Sequence, residues 1–277
     1  MIPAAFSYRR PSSLDEALDL LGRHGDDAKV LAGGHSLIPL MKMRLAAPEV
    51  LVDLGGLDDL RYVRRAGDTI EIGALTRYHD LQHDEVLREH APLLAHAAGV
   101  VGDPQVRHRG TVGGSVAHAD PAADVPAALL ASDATLVVTG AGGRREIPVG
   151  EFFLGPFTTP LEPDELLTEI RVPLRTGIGW GFEKFTRRAI DWAIVGVAAV
   201  GDSVALINMG GTPVRAAAVE AALADGATPS AAAELAAEGT SPVAEPHATV
   251  DYRRHLARVL TARALTQVAG GARVGLS

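Results

Sequence analysis

The sequence predicts an α+β fold laid out in three successive zones, residues 1–56, 57–174 and 175–277. Three observations predict it. A capped amphipathic helix lies among short apolar strands near the amino terminus, alternating strands separated by turn residues fill the middle, and three strands followed by alanine-rich helical segments close the chain. A chain of 277 residues can bury a substantial core, and 47% apolar with 22% charged residues is ordinary for a globular protein.

In the first zone Ser13 and Glu16 form a capping box, Leu14, Ala17, Leu18 and Leu21 share one helical face, and Gly25 stops the helix. A strand over residues 29–32 runs into VLAGGHSLIPL, a short apolar run follows at 37–43, and Pro48 precedes a strand at 50–54, giving a β-α-β-loop-β lobe. In the second zone, strands at 61–65 and 69–72 flank Ala66-Gly67-Asp68 as an antiparallel hairpin, and residues 91–100 form a helix. Asp124 with Pro126 behind it suits a helix start, where the aspartate would act as a cap. A second hairpin pairs 135–138 with 144–149, Phe152, Phe153 and Phe157 gather as core, and a strand at 166–172 ends at Pro173. The third zone reads as a three-stranded meander, 182–186, 193–200 and 204–208, with Gly201-Asp202 as one turn. Helical segments follow near 214–224, 230–237 and 251–268, the last placing Tyr252, Leu256, Val259, Leu260 and Leu265 near one face.

Two stretches carry chemistry: AGGHS at 32–36 and TVGGS at 111–115, each a double glycine with a hydroxyl residue beside it. Glycine lets a backbone turn tightly and approach a ligand, and successive N–H groups in such a turn form a concavity that favours anions. Two such loops together could hold a pyrophosphate; equally, with 30 glycines in the chain, they could be two ordinary turns. Neither is GxGxxG and no GxxxxGK[ST] occurs, so a dinucleotide bound here is not held as in a Rossmann or P-loop domain. Arg107, His108 and Arg109 stand just ahead of the second pair, either as phosphate-facing cations or as solvated charges.

Composition removes other classes. The chain has no cysteine, which excludes disulfides, thiolate zinc sites, a cysteine nucleophile and any iron–sulfur cluster held by this chain alone. Ten histidines contain no HExxH, and the i, i+4 pair His79 and His83 reads as a solvated face, so no metal is expected. A net charge of −8 argues against nucleic acid. No apolar run approaches the roughly 18 residues of a membrane span, and MIPAAFSYRRP lacks the apolar region of a secretion signal, so a cytoplasmic protein without an integral membrane segment is expected.

The succession AGGHSLIPLMKMRLAAPEVLVDL, QVRHRGTVGGSVAHADPAADVPAALLA, FEKFTRRAIDWAIVGVAAV and YRRHLARVLTARAL resembles the FAD-binding medium subunit of the molybdenum hydroxylases, the carbon monoxide dehydrogenase and xanthine dehydrogenase group. The resemblance spans essentially the whole chain. It implies a vanillyl-alcohol oxidase (PCMH) type FAD-binding fold: a small α/β lobe over 1–56, a larger α+β lobe over 57–174, and a C-terminal domain over 175–277. It also implies that Ala32, Gly33, Gly34, His35, Ser36 and Leu37 line one side of the FAD pyrophosphate, and Thr111, Gly113 and Gly114 the other. Asp124 would meet the adenosine or ribityl part with His118 near it, and Lys184 and the segment around Trp192 the isoalloxazine. Ser115, His108 and Trp192 stand where the family more often has Asn, Asn, and Tyr or Phe.

By the same resemblance the chain is a flavoprotein oxidoreductase subunit with no catalytic acid or base of its own. FAD, bound non-covalently, would pass electrons from two [2Fe–2S] clusters of a small subunit to an external acceptor, while a large molybdopterin subunit oxidises the substrate, in a dimer of heterotrimers. Two other readings stand beside it. A self-sufficient flavin oxidase or reductase would use the histidine of GGH, His35, as a covalent flavin link, and a non-catalytic module would bind nucleotide or a partner structurally.

Overall fold

The computed structural model describes residues 2–271. The chain opens with β1 (Ser7–Arg9), α1 (Leu14–His24), β2 (Ala28–Leu31), α2 (Leu37–Lys42) and β3 (Val50–Asp53). The three strands make an all-parallel sheet in the order β1-β3-β2. The Ser13 hydroxyl accepts from the Glu16 N–H at 3.2 Å as the sequence predicts, but the Glu16 carboxylate answers on the N–H and hydroxyl of Ser12, both at 2.8 Å, one residue ahead of the expected box. Ala17, Leu20 and Leu21 bury against Val50, Val52 and Ala28, and Gly25, with φ +49°, ends α1.

The middle of the chain contains β4 (Val63–Ala66), β5 (Thr69–Gly73), α3 (Tyr78–His83), α4 (Glu85–His90), α5 (Pro92–Gly99), α6 (Pro104–Arg107), α7 (Val112–His118), α8 (Asp124–Ala131), β6 (Thr135–Gly140), β7 (Gly143–Pro148), α9 (Val149–Phe152) and β8 (Leu166–Pro173). Its antiparallel sheet has the order β4-β5-β8-β6-β7. Both predicted hairpins form, pairing Ala66 with Thr69 and Gly140 with Gly143. All of α8 is buried, because its apolar residues meet the sheet on one side and the last part of the chain on the other. Phe152 is buried as expected; Phe157 is 59% exposed with φ +55°, so the third phenylalanine is not core.

The last part comprises β9 (Trp180–Phe185), β10 (Val195–Val200), β11 (Ser203–Ile207), β12 (Val214–Arg215), α10 (Ala217–Ala224), α11 (Pro229–Ala233) and α12 (Val250–Ala269). The expected three-stranded meander is a four-stranded sheet, β12-β11-β10-β9. The extra strand takes the first two residues of the segment expected to be helical, since Ala205 and Leu206 offer an open edge to Arg215 and Val214.

Alternation gives this sheet two apolar faces. Trp180, Phe182, Ala198, Val200, Ala205 and Ile207 join the core of the middle part. Val195, Val197, Ala199, Val204 and Leu206 meet Leu256, Ala257, Leu260 and Ala264 of α12. Helix and strand approach closely because glycine stands in β9 on that face and just ahead of it: a Cβ on Gly181 would lie 2.2 Å from the Ala264 carbonyl oxygen, and one on Gly179, the residue before β9, 2.1 Å from that of Val268. Gly181→Ala should therefore lose about 1–3 kcal/mol in urea unfolding, while Gly142→Ala, where nothing lies within 4 Å, stays near wild type. Equal midpoints for the two variants would contradict the packing of β9 beneath α12.

Candidate functional site

The first glycine loop leaves β2 at Leu31 and turns through Ala32 to Ser36 before α2 begins at Leu37. Gly34 has φ +77°, a left-handed conformation that favours glycine. Gly33 is required by contact: a Cβ there would lie 2.5 Å from the Arg109 carbonyl oxygen and 2.8 Å from the Gly110 Cα. The first loop thus rests backbone to backbone on the chain just ahead of Thr111. Among the described residues, the N–H groups of Gly33, Gly34, His35 and Ser36 donate to no protein acceptor. The exposed His35 ring sits with Nδ1 3.1 Å from the Gly33 carbonyl oxygen.

The second glycine pair is not a turn but the first turn of α7. The reason is the Thr111 hydroxyl, which caps the helix by accepting from the Gly114 N–H at 3.2 Å. The N–H groups of Val112 and Gly113 return to Thr76 and Ala74 carbonyls at 3.0 and 2.9 Å. The two glycines differ in purpose. A Cβ on Gly113 would strike Ala74 at 2.5 Å, so Gly113 serves the seating of α7 on the end of β5, whereas a Cβ on Gly114 would lie 2.7 Å from the capping Thr111 hydroxyl and 3.6 Å from the Ala32 Cβ. Gly114 is the member that faces the first loop. Arg107 spends its guanidinium on the Val101 and Gly102 carbonyls, and His108 stacks on His79, ring centroids 4.1 Å apart.

Asp124 is the first residue of α8 rather than its cap; Ala123 holds the cap position without a side-chain bond. Instead the buried Asp124 carboxylate meets Lys184 Nζ at 2.7 Å. Lys184 reaches it because it shares the inward face of β9 with Trp180 and Phe182, and its ammonium also lies 3.4 Å from the Val100 carbonyl. The other carboxylate oxygen, Oδ1, is buried with no partner. Burial pushes the Asp124 carboxyl up to about 6 against the opposing pull of Lys184. His118, at the end of α7, has its ring 5.1 Å from that of Phe157, and burial lowers its imidazole pKa despite Asp120.

Trp192 stands apart from this group, in the loop between β9 and β10 rather than on a strand, and is 59% exposed. With Phe157 it borders an open cavity of about 490 Å³ whose wall includes Asp120, Ala122, Asn208 and His247. Sequence reasoning missed Tyr78, whose buried ring packs on Gly110, 2.8 Å from where a Cβ would stand, and whose phenol is pushed up by burial. Nothing in its local sequence distinguishes it from a core tyrosine. The two loops offer bare N–H donors, Asp124 a buried acceptor beside the Lys184 ammonium, and the Trp192 cavity apolar rings.

Residues 4–175 match the family described as the FAD binding domain in molybdopterin dehydrogenase, and residues 180–268 the CO dehydrogenase flavoprotein C-terminal domain. The chain is 42% identical to the carbon monoxide dehydrogenase medium chain of Hydrogenophaga pseudoflava, over 96% of this chain and 97% of that one. It is 38% identical to the glyceraldehyde dehydrogenase medium chain of Sulfolobus acidocaldarius, over 97% of this chain and all of that one (100%). A chain in a solved structure of the Hydrogenophaga pseudoflava carbon monoxide dehydrogenase lacking the Mo-pyranopterin moiety superimposes with a TM-score of 0.95 at 43% identity, covering 98% of this chain and 100% of that chain.

Asp124 predicts a pH signature. An acid whose pKa is higher folded than unfolded binds its proton more tightly in the folded state, so its contribution to stability is full below the unfolded value near 4 and is lost as pH rises through about 6. The stability of the apoprotein relative to Asp124→Asn should fall by roughly 2–3 kcal/mol between pH 4 and 7. A flat difference across that window would show that the carboxyl titrates normally.

Proposed function

The chain belongs to the FAD-binding medium subunits of the molybdenum hydroxylases, the carbon monoxide dehydrogenase and xanthine dehydrogenase group, and from that premise we propose that it carries electrons between a partner's [2Fe–2S] clusters and an external acceptor. As in its relatives, it is an oxidoreductase subunit with the FAD-binding fold of that group, and molybdopterin sits on other subunits. Bound FAD supplies the redox chemistry, accepting electrons and releasing them to the acceptor.

What this chain's own residues do is bind, orient and shield. The observation that carries the reading is the run of unpartnered N–H groups from Gly33 to Ser36 lying beside Gly114. Such donors suit a pyrophosphate, with Ala32 to Leu37 on one side and Thr111, Gly113 and Gly114 on the other. Asp124 Oδ1, buried and without a donor, suits a sugar or ribityl hydroxyl, with His118 nearby. Lys184 holds that carboxylate in place, and Trp192 offers the apolar surface for the isoalloxazine. In the same reading the units are residues 1–56, 57–174 and 175–277.

A chain without cysteine holds no thiolate-ligated cluster, so the clusters come from a small subunit. A large molybdopterin subunit completes a dimer of heterotrimers, in the cytoplasm. Among the described residues no helix is long and apolar enough to cross a membrane. The relatives include medium chains of enzymes named for carbon monoxide and glyceraldehyde, which supports a choice of substrate made outside this chain.

Purified protein should show a flavin spectrum, and acid precipitation should release FAD to the supernatant; flavin retained in the pellet would instead indicate a covalent link such as one through His35. Gly33→Val should lose FAD, because its side chain would part the two loops, and stoichiometric FAD in that variant would refute the two-loop site. Trp192→Ala should keep FAD but change its spectrum or potential, and identical values would remove Trp192 from the site.

A further inference from the structure

The segment YRRHLARVL at the start of α12 has no part in the site as described so far, yet it contains the most completely buried large polar side chain among the described residues. Arg253 is 1% exposed. Its Nη1 donates to the Ile194 carbonyl at 2.7 Å and to the Asn208 carbonyl at 3.1 Å, its Nη2 pairs with Glu245, and its Nε is buried without a partner. Stability alone does not call for this arrangement. A buried guanidinium gives up its hydration, and apolar replacements of buried ion pairs are often at least as stable.

The partners of Arg253 are what distinguish it. Ile194, Asn208 and Glu245 all belong to the wall of the cavity bordered by Trp192. Asn208 extends the connection: its side-chain amide donates to the Ala193 carbonyl at 2.7 Å, and its N–H to the Pro121 carbonyl at 2.9 Å. Asn208 holds φ +61°, a conformation that directs its main chain and side chain to these separate segments. The loop bearing Trp192 is also held further back, where Arg187 donates to His247 Nε2 at 3.0 Å. A single buried cation therefore joins the loop bearing Trp192, the end of β11 and the 241–249 segment, and through Asn208 reaches Pro121 in the loop preceding Asp124.

We infer that Arg253 is a positioning residue: from behind the cavity wall it fixes the Trp192 loop, and through Trp192 it sets the environment of the flavin. This rests on the reading that Trp192 lies against the isoalloxazine. Arg253 itself touches neither cavity nor cofactor, so its effect must pass through the residues it holds.

The test is a double-mutant cycle on the FAD-loaded protein with its copurifying subunits: wild type, Arg253→Met, Trp192→Ala and the combination, read by flavin spectrum, midpoint potential and FAD dissociation. Arg253→Met should, like Trp192→Ala, keep FAD bound and shift the flavin spectrum and midpoint potential in the same direction as that variant. It should displace the spectrum in wild type and add nothing further once Trp192 is alanine. Arg253→Lys keeps the charge but not the fork, and should restore part of the spectrum; it replaces Arg253→Met in the cycle if the methionine variant does not fold. Amide exchange in the apoprotein should quicken at Ile194 and Asn208 in either variant. An equal increment in both backgrounds, or an unchanged flavin in Arg253→Met and Arg253→Lys, overturns the inference. A silent Trp192→Ala overturns it differently, by removing the flavin reading of Trp192 on which it stands.

Discussion

The arrangement depends on a place where no side chain fits. At Gly33 the amino-terminal sheet and the middle part of the chain meet main chain to main chain, with the Arg109 carbonyl where a Cβ would be. Contact at that distance sets how the bare N–H groups of the first loop stand relative to α7. The same logic recurs at Gly113 on Ala74 and at Gly181 beneath Ala264, so the elements that build the site are held at backbone distance rather than side-chain distance. Each is a contact that any larger residue would widen.

Between the middle and last parts the connection is polar. Lys184 and Asp124 face each other across the interface between β9 and α8, at the edge of an otherwise apolar contact. The pair is not fully balanced, since one carboxylate oxygen lacks a donor and burial keeps the acid's pKa high. Imbalance of this kind is costly in a structural ion pair and reasonable in a ligand site, where the missing donor arrives with the ligand. Arg253 repeats the pattern behind the wall of the Trp192 cavity, with all but one of its groups engaged.

Local features were legible in the sequence to the extent that their causes are local. The Ser13 cap, the stop at Gly25 and the turn at Gly201-Asp202 are dictated by neighbours within a few residues and are found where expected, and the first hairpin turns at Gly67-Asp68 with Ala66, expected in the turn, drawn into the strand opposite Thr69. The glycine pairs were legible as special positions, but not which glycine faces the first loop; that follows from Ala74 and Ala32, which lie far away in the sequence. Asp124 looked like a cap because its true partner is sixty positions on. β12 was hidden because a two-residue strand has no period, and Phe157 because hydrophobicity does not report a positive φ. A buried arginine runs against the usual distribution of side chains, so no composition-based reading would have selected Arg253 from among the arginines of α12.

The strand order of the middle sheet carries a consequence for biogenesis. β8, the last of its five strands to be synthesised, lies at the centre, between β5 and β6. Until residue 173 has left the ribosome this sheet exists only as two separate hairpins, each too small to be stable alone and each with an open edge. Insertion of β8 joins them in one step and closes both edges. The sheet that supports α7 and α8 is thus completed late and all at once, and the amino-terminal glycine loop waits in an immature chain for the surface it will rest on.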